Sequence, residues 1–420
     1  FLETTAELLL QDRSHTKTPK LIFLGRKDSI DLADIIVQLT SAGIAVSVLS
    51  LAYFDSEPAR QMIHVYAQTM AKPDAQFWNH RVPVNDLISA YFDTIESALH
   101  LERGTLWSTE SGRAFAGYAP VLAAMGSIIA ELDNFQDVAN RLKLSGTTEA
   151  WRVIQNVVQE ILDREQHKLR DKLVAQVSAS MPPNAYDSYE QLAYLTSYLH
   201  KRPITSTGRV KLGPADQVRY LSMVEQYLPE HPFVRGGEMT NLVLGSAIMA
   251  HGVVNGLIQE GDPPVLEEVA RQPFLWRFLM SEFKEGASLV DGKYLGCILE
   301  SLWSDPIAQS SSTVVRDKGD NDGLAIRITS LDGSEAAFTA TCPVVLLDLV
   351  GSIDLDINGK VVMKGYGVRG APPLIRAQGD AVILCQHLNV VAETFKVEGC
   401  LWLEADQVES HPRLKLTVKD

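Results

Sequence analysis

The sequence predicts a multidomain α+β protein: a partial parallel α/β unit, an all-helical middle and a β-rich carboxyl-terminal domain. Three observations carry that expectation. Apolar runs alternate with helical patterns over residues 1–70, helical periodicity dominates 75–310, and short β-type runs crowd 314–420. Length agrees with it, since 420 residues far exceed the roughly 100–150 at which single domains are commonest.

The first unit opens inside a helical pattern, Leu2 to Leu10, and continues into Leu21, Ile22, Phe23, Leu24, Gly25 and Arg26, a buried strand ending on glycine and arginine. A helix follows around Ser29–Leu39, capped by Asp28 or Ser29 and ended by Gly43. The second strand is Ile44–Leu51. Ser56, Glu57 and Pro58 open the next helix, with proline in the first turn, where its missing N–H costs nothing. This βαβα order implies parallel strands joined by a right-handed crossover. Because the chain begins on Phe1, inside a helix, the expectation is the later part of a longer fold.

In the middle region the clearest helix spans Trp151–Val177. Val153, Ile154, Val157, Val158, Ile161, Leu162, Leu169 and Leu173 fall on one side by 3,4 spacing, while Arg152, Gln159, Asp163, Arg164, Lys168 and Arg170 face water. Met181, Pro182, Pro183 and Asn184 break it. Shorter helices are predicted at Asp187–His200, Pro214–Tyr227, Gly237–Gln259 and Pro264–Phe283.

Ser310–Thr313 reads as a linker into the β-rich domain. From Leu374 onward β-type runs recur every six or seven residues, at Ile383–Cys385, Leu388–Val390, Phe395–Val397 and Leu401–Leu403, with Leu414–Leu416 after a longer gap. That spacing leaves little room for full-length hairpin strands. It fits a β-solenoid or a compact sandwich of short strands, and the pattern leaves both open.

A formal charge of −14 argues against nucleic acid as a partner, because such binding requires Lys and Arg to neutralise phosphates. Four dispersed cysteines, Cys297, Cys342, Cys385 and Cys400, point to a reducing compartment. Cys385, His387 and Cys400 are zinc-type ligands, yet they lack a C-x2-C pair and a fourth member, so free thiols are the expectation. No apolar run reaches the roughly 20 residues that span a bilayer, and a cytoplasmic location is expected.

Catalytic patterns are weak. The chain has no G-x-x-x-x-G-K-[ST] phosphate loop, and Gly292-Lys293 lacks its neighbours. Val344–Asp348 has the outline of a magnesium-holding strand but reads as a strand edge. Glu282, Phe283 and Lys284 form a nuclease-like tripeptide placed on a helix. His231, before Pro232 and Phe233, is expected to fix a turn through its ring, with ligand contact as the alternative.

Leu21–Ile63 resembles the second half of the nucleotide-binding domain of STAND-type (signal-transduction) P-loop NTPases. Arg26 matches the sensor position at the end of a strand, and Leu51–Ile63 matches the strand exit and following helix. Phe115–Leu122 and His231–Val234 resemble segments of the helical portion of such bacterial proteins. The resemblance implies a nucleotide-controlled switch in bacterial signalling or antiviral defence, with ATP and magnesium held by a half preceding Phe1. It makes Arg26 a γ-phosphate sensor, since a guanidinium at the carboxyl end of a parallel strand faces the ligand crevice. The competing expectation is a non-enzymatic interaction scaffold, with Arg26 in a salt bridge to Asp28 or Asp31. The partner expected is another protein or the remainder of the same polypeptide, with oligomer formation compatible with either.

Overall fold

The computed structural model describes residues 30–43, 46, 53–72, 81–144 and 147–258, then 269, 272–282, 289–291 and 301. From 312 it describes 312–317, 324–329, 335–341, 344–346, 353–364, 374–377, 381–391, 393–397, 399–410 and 415–418. By its contacts the chain divides into two units, Phe1–Tyr53 and Phe54–Asp420. The predicted strand at 21–25, that at 44–51 apart from Val46, which is not in a strand, Arg26 and the Asp28 or Ser29 cap lie outside the described residues.

In the first unit α1 (Ile30–Ser41) forms where the sequence placed it. Gly43 takes φ +74°, the left-handed conformation of a helix terminator.

The second unit has a mostly helical core followed by a region of parallel and antiparallel strands. Its helices are α2 (Ser56–Met70), α3 (Arg81–Ala98), α4 (Glu110–Ala116), α5 (Ala119–Ala130), α6 (Phe135–Leu144), α7 (Thr147–Gln176), α8 (Ser188–Leu199) and α9 (Pro214–Tyr227). A 3-10 turn at Leu228–Glu230 leads to the hairpin β1 (Val234–Arg235) and β2 (Glu238–Met239), then α10 (Leu242–Val254) and α11 (Leu275–Glu282).

The α2 helix belongs with this helical body, packing on α5. Ala59, Ile63 and Ala67, four apart, present one buried stripe. A Cβ on Gly126 of α5 would sit 2.9 Å from Tyr66 Cβ and 3.1 Å from the Ile63 carbonyl oxygen, so a small residue sets this close crossing. On α7 every apolar position read from the sequence, Val153 through Leu173, is buried. The same stripe also carries Glu165, four residues from both Ile161 and Leu169 and 1 % exposed.

Two elements interrupt the helical stretch. The predicted helix from Gly237 instead begins at Leu242, with the Asn241 side chain accepting from the Leu244 N–H as its cap. Gly236 (φ +61°) and Gly237 (φ +82°) form the two-residue turn of the β1–β2 hairpin, a turn signal at which the helix expected from Gly237 does not start. The second is β3 (Leu289–Asp291), a strand paired in parallel with β6 (Glu335–Thr341).

Beyond it come β4 (Ser312–Asp317), β5 (Leu324–Thr329), β6, β7 (Val344–Leu346), β8 (Ile353–Lys364), β9 (Leu374–Ala377), β10 (Ala381–Val391), β11 (Thr394–Val397), β12 (Leu401–Ser410) and β13 (Lys415–Val418). The strands β4, β5 and β6 form an antiparallel meander, and β4 joins β8 in parallel. From there pairing is parallel. Ala381 lies opposite Ile353 on β8 and Leu401 on β12, and Thr394 opposite Leu374 on β9 and Lys415 on β13.

The predicted short runs at 383–385 and 388–390 are one strand of 11 residues. Against β8 the two steps from Cys385 to His387 match three from Ile357 to Lys360, so the extra residue of the β-bulge lies on β8, while β10 keeps a regular register with β12 through the same positions. Val344–Leu346 forms a strand beside β8, while Leu347 and Asp348 lie outside the described residues. Among the described residues no single helix is long and apolar enough to cross a membrane.

Candidate functional site

Buried polar side chains concentrate where α7, α8, α9 and the loop 201–213 meet. Their arrangement starts with Asp187, whose carboxylate caps α8 by accepting from the Glu190 N–H at 3.0 Å. Glu190 thus stands in the first turn of α8, where the helix dipole favours an anion. It is 1 % exposed. One carboxylate oxygen accepts from the Tyr220 hydroxyl (2.5 Å) and the Tyr186 N–H (2.9 Å), the other from the hydroxyls of Thr207 (2.5 Å) and Tyr194 (3.1 Å). Four donors from three segments therefore converge on one carboxylate.

Tyr186 occupies a positive φ of 56°, uncommon for a bulky side chain. Its backbone is held on both sides: the N–H binds Glu190, and the carbonyl accepts from the Gln191 side-chain amide at 2.9 Å. That amide also donates to the Leu162 carbonyl at 2.8 Å, tying α8 to α7. The Tyr186 ring is stacked on Tyr194 and edge-on to Tyr227, with centroids 6.5 and 5.9 Å apart. Glu165 forms the second node, accepting from the Tyr227 hydroxyl and pairing with Lys168 at 2.6 Å.

Burial, reinforced by the nearby carboxylates, raises the pKa of Tyr186, Tyr194, Tyr220 and Tyr227 above the ordinary tyrosine value. Tyr194, Tyr220 and Tyr227 accordingly stay protonated and serve as hydrogen-bond donors to Glu190 or Glu165. The arrangement clamps the helices together, and its carboxylate oxygens are already taken by protein donors.

His231 is fully buried next to this cluster. Its Nδ1 accepts from the Phe233 N–H at 3.1 Å, so the ring braces the turn as the sequence suggested, and its Nε2 faces the Gln191 side-chain oxygen at 3.0 Å. With both Gln191 amide hydrogens given to carbonyls, that oxygen accepts, and the neutral Nε2–H tautomer follows. Burial pulls the His231 pKa down to about 3. The two helical-region segments quoted for the family resemblance touch here, Tyr118 donating its hydroxyl to the Pro232 carbonyl at 2.7 Å.

Farther along α8, the Arg209 guanidinium lies 4.3 Å from the Tyr189 ring centroid and pairs with Asp187 at 3.2 Å, while His251 meets the same ring edge-on at 4.6 Å. The cleft around Asp133 and Arg141 is a helix start, its Asn134 being spent on capping Asp137. Among the described residues no cluster of His, Cys, Asp or Glu is arranged to hold a metal ion, and Cys400 is exposed.

A different surface lies at the far strands. Four register columns run from buried to exposed as the parallel pairs end. Ile383, Leu388, Phe395 and Val397 are at most 2 % exposed, and their register partners Leu403, Val408, Leu416 and Val418 are 40, 55, 52 and 43 % exposed. Among the described residues, side chains in register with the core are thus exposed on β12 and β13. β12 also ends its sheet, which leaves one edge of backbone donors and acceptors unpaired among the described residues.

Neither the tyrosine–carboxylate cluster nor this open rung was visible in the sequence. Glu165 within an apolar stripe was the one local signal of the former. Compared with protein-family models, curated proteins and solved structures, the chain matches none.

Proposed function

We propose that this chain is a protein-interaction scaffold whose carboxyl-terminal strands dock a partner protein, with the helical core as its rigid support. The observation that carries this reading is the set of four core columns continuing into exposed aliphatic residues at β12 and β13. Exposed apolar side chains in register with a buried core are a recurring feature of interaction sites. The stacking of β8, β10 and β12 on one side and β9, β11 and β13 on the other supports a β-solenoid for this region. Leu374, Thr394 and Lys415 are in register at steps of 20 and 21 residues, as successive coils require.

Leu403→Glu combined with Leu416→Glu tests the docking reading. Both residues are exposed, so the unfolding free energy is expected to stay within about 0.5 kcal/mol of the parent. A stoichiometric co-purifying protein should be lost. An identical set of co-purifying proteins from parent and variant rejects the proposal.

A second reading, a nucleotide-controlled switch in bacterial signalling or antiviral defence, is supported by the resemblance of Leu21–Ile63 to STAND-type NTPases. Here Arg26 senses the γ-phosphate, ATP and magnesium are held by the phosphate-binding half that the resemblance implies, and the helices relay the nucleotide state to the strands. In a longer polypeptide carrying that half, a fluorescent ATP analogue with magnesium should bind, and Arg26→Ala should abolish the nucleotide-triggered conformational change while leaving folding intact. An unaltered nucleotide response in that variant removes Arg26 from the mechanism.

A further inference from the structure

We propose that residues 203–212, between α8 and α9, form a strap that opens as a unit while the helices beneath stay folded, with the Thr207 hydroxyl on Glu190 as its latch. Among the described residues, none of 203–212 takes part in a backbone–backbone hydrogen bond. Val210 is the one buried side chain of the segment, and Ile204 and Leu212 pack only partly against the core. Little apolar burial and no backbone ladder are the marks of a segment that opens well below the cost of global unfolding.

The strap is therefore closed by side chains. Thr207 donates to the buried Glu190 carboxylate at 2.5 Å. Arg209 pairs with Asp187 at 3.2 Å and lies over the Tyr189 ring, and its carbonyl accepts from the Asn184 amide at 3.4 Å. The bonds from the Gly208 and Arg209 N–H groups to the Ser206 and Thr207 hydroxyls are internal to the strap and travel with it. Of the ties to the core, the one from Thr207 carries most, because a hydrogen bond to a buried charge is stronger than a partly exposed ion pair.

Both ends are anchored. The Arg202 N–H donates to the Ser197 carbonyl and its guanidinium to that of Leu257, while Gly213 caps α9 and accepts from the Gln217 N–H. With the strap open, Glu190 keeps the Tyr186 N–H and the hydroxyls of Tyr194 and Tyr220, so the clamp between the helices survives. What opening uncovers is one oxygen of that carboxylate and the face of Tyr189 on which Arg209 lies.

Trypsin tests this in the full chain, since a protease needs extended backbone and Lys211 lies within the strap. Cleavage after Lys211 should be slow in the parent and unaffected by sub-denaturing urea, because opening exposes little surface. Cleavage after Lys168, inside α7, should rise steeply with urea. Thr207→Val should speed the Lys211 cut about tenfold at unchanged urea dependence, and Thr207→Ser should keep the parent rate. Asp187→Asn, which retains a capping side chain, should speed it only about twofold.

Equally steep urea dependence at Lys211 and Lys168 would mean that the strap opens only with the whole helical body, and overturns the proposal. So would a Thr207→Val rate equal to the parent's, which places cleavage in the closed state. A serine variant as fast as the valine variant excludes the hydroxyl as the latch.

Discussion

Glu190→Ala is expected to lower folding stability by about 4 kcal/mol, because it strands several buried donors at once. The Tyr186 N–H and the hydroxyls of Tyr194, Thr207 and Tyr220 all end on this one carboxylate. Each donor left without an acceptor costs roughly 1–3 kcal/mol, and relief from burying an anion offsets part of the sum. Tyr186 would also lose one of the contacts that hold its positive φ, its N–H keeping the Tyr220 hydroxyl at 3.1 Å. Glu190→Gln should fall between parent and alanine variant, since an amide retains one accepting oxygen but turns its other end into a competing donor. Urea unfolding followed by tyrosine fluorescence and far-ultraviolet dichroism measures this. A loss under about 1 kcal/mol for the alanine variant would mean that the cluster contributes little to stability.

Acid should weaken the fold through two buried histidines before most carboxylates titrate. Burial lowers the pKa of His231 to about 3 and of His251 to about 4, from an ordinary 6.5. A positive charge at Lys168 acts in the same direction on His231, and Arg209 does so on His251. The folded protein thus holds both rings neutral, while the unfolded chain takes up protons below about pH 6.5. Their contribution to stability is complete above that pH and is lost as pH falls toward the folded values. By pH 5 each histidine should cost about 2 kcal/mol, about 4 together. For His231 the geometry supplies the reason: a proton on Nδ1 would face the Phe233 N–H that the nitrogen now accepts. Stability measured from pH 7.5 to 5 in parent, His231→Gln and His251→Gln should show a shallower slope in each variant. Unchanged slopes would exclude these rings as the acid-sensitive groups.

Much of the helical body was legible because amphipathic spacing is a local property. The buried stripe of α7 and the bounds of α9 follow from residues on a single helix. The cap at Asp187 and the terminator at Gly43 are equally local. Where a local pattern admits two outcomes the reading failed. Gly236 and Gly237 made a hairpin at the start of an expected helix, and parallel pairing with β12 on both sides of Gln386 joined two runs into one strand. Glu190 gave no local sign of its burial, because its partners Thr207 and Tyr220 lie 17 and 30 residues away.

By itself the sequence determined the acidic balance, the succession from helices to strands and the faces that helices bury, since each depends on composition or on neighbours within a few turns. Only the tertiary structure decided which carboxylates are enclosed by tyrosines, and that the aliphatic columns of β10 and β11 end in exposed residues on β12 and β13. Those outcomes are set by pairing between segments distant in the chain, and burial belongs to the assembled neighbours of a residue more than to the residue itself.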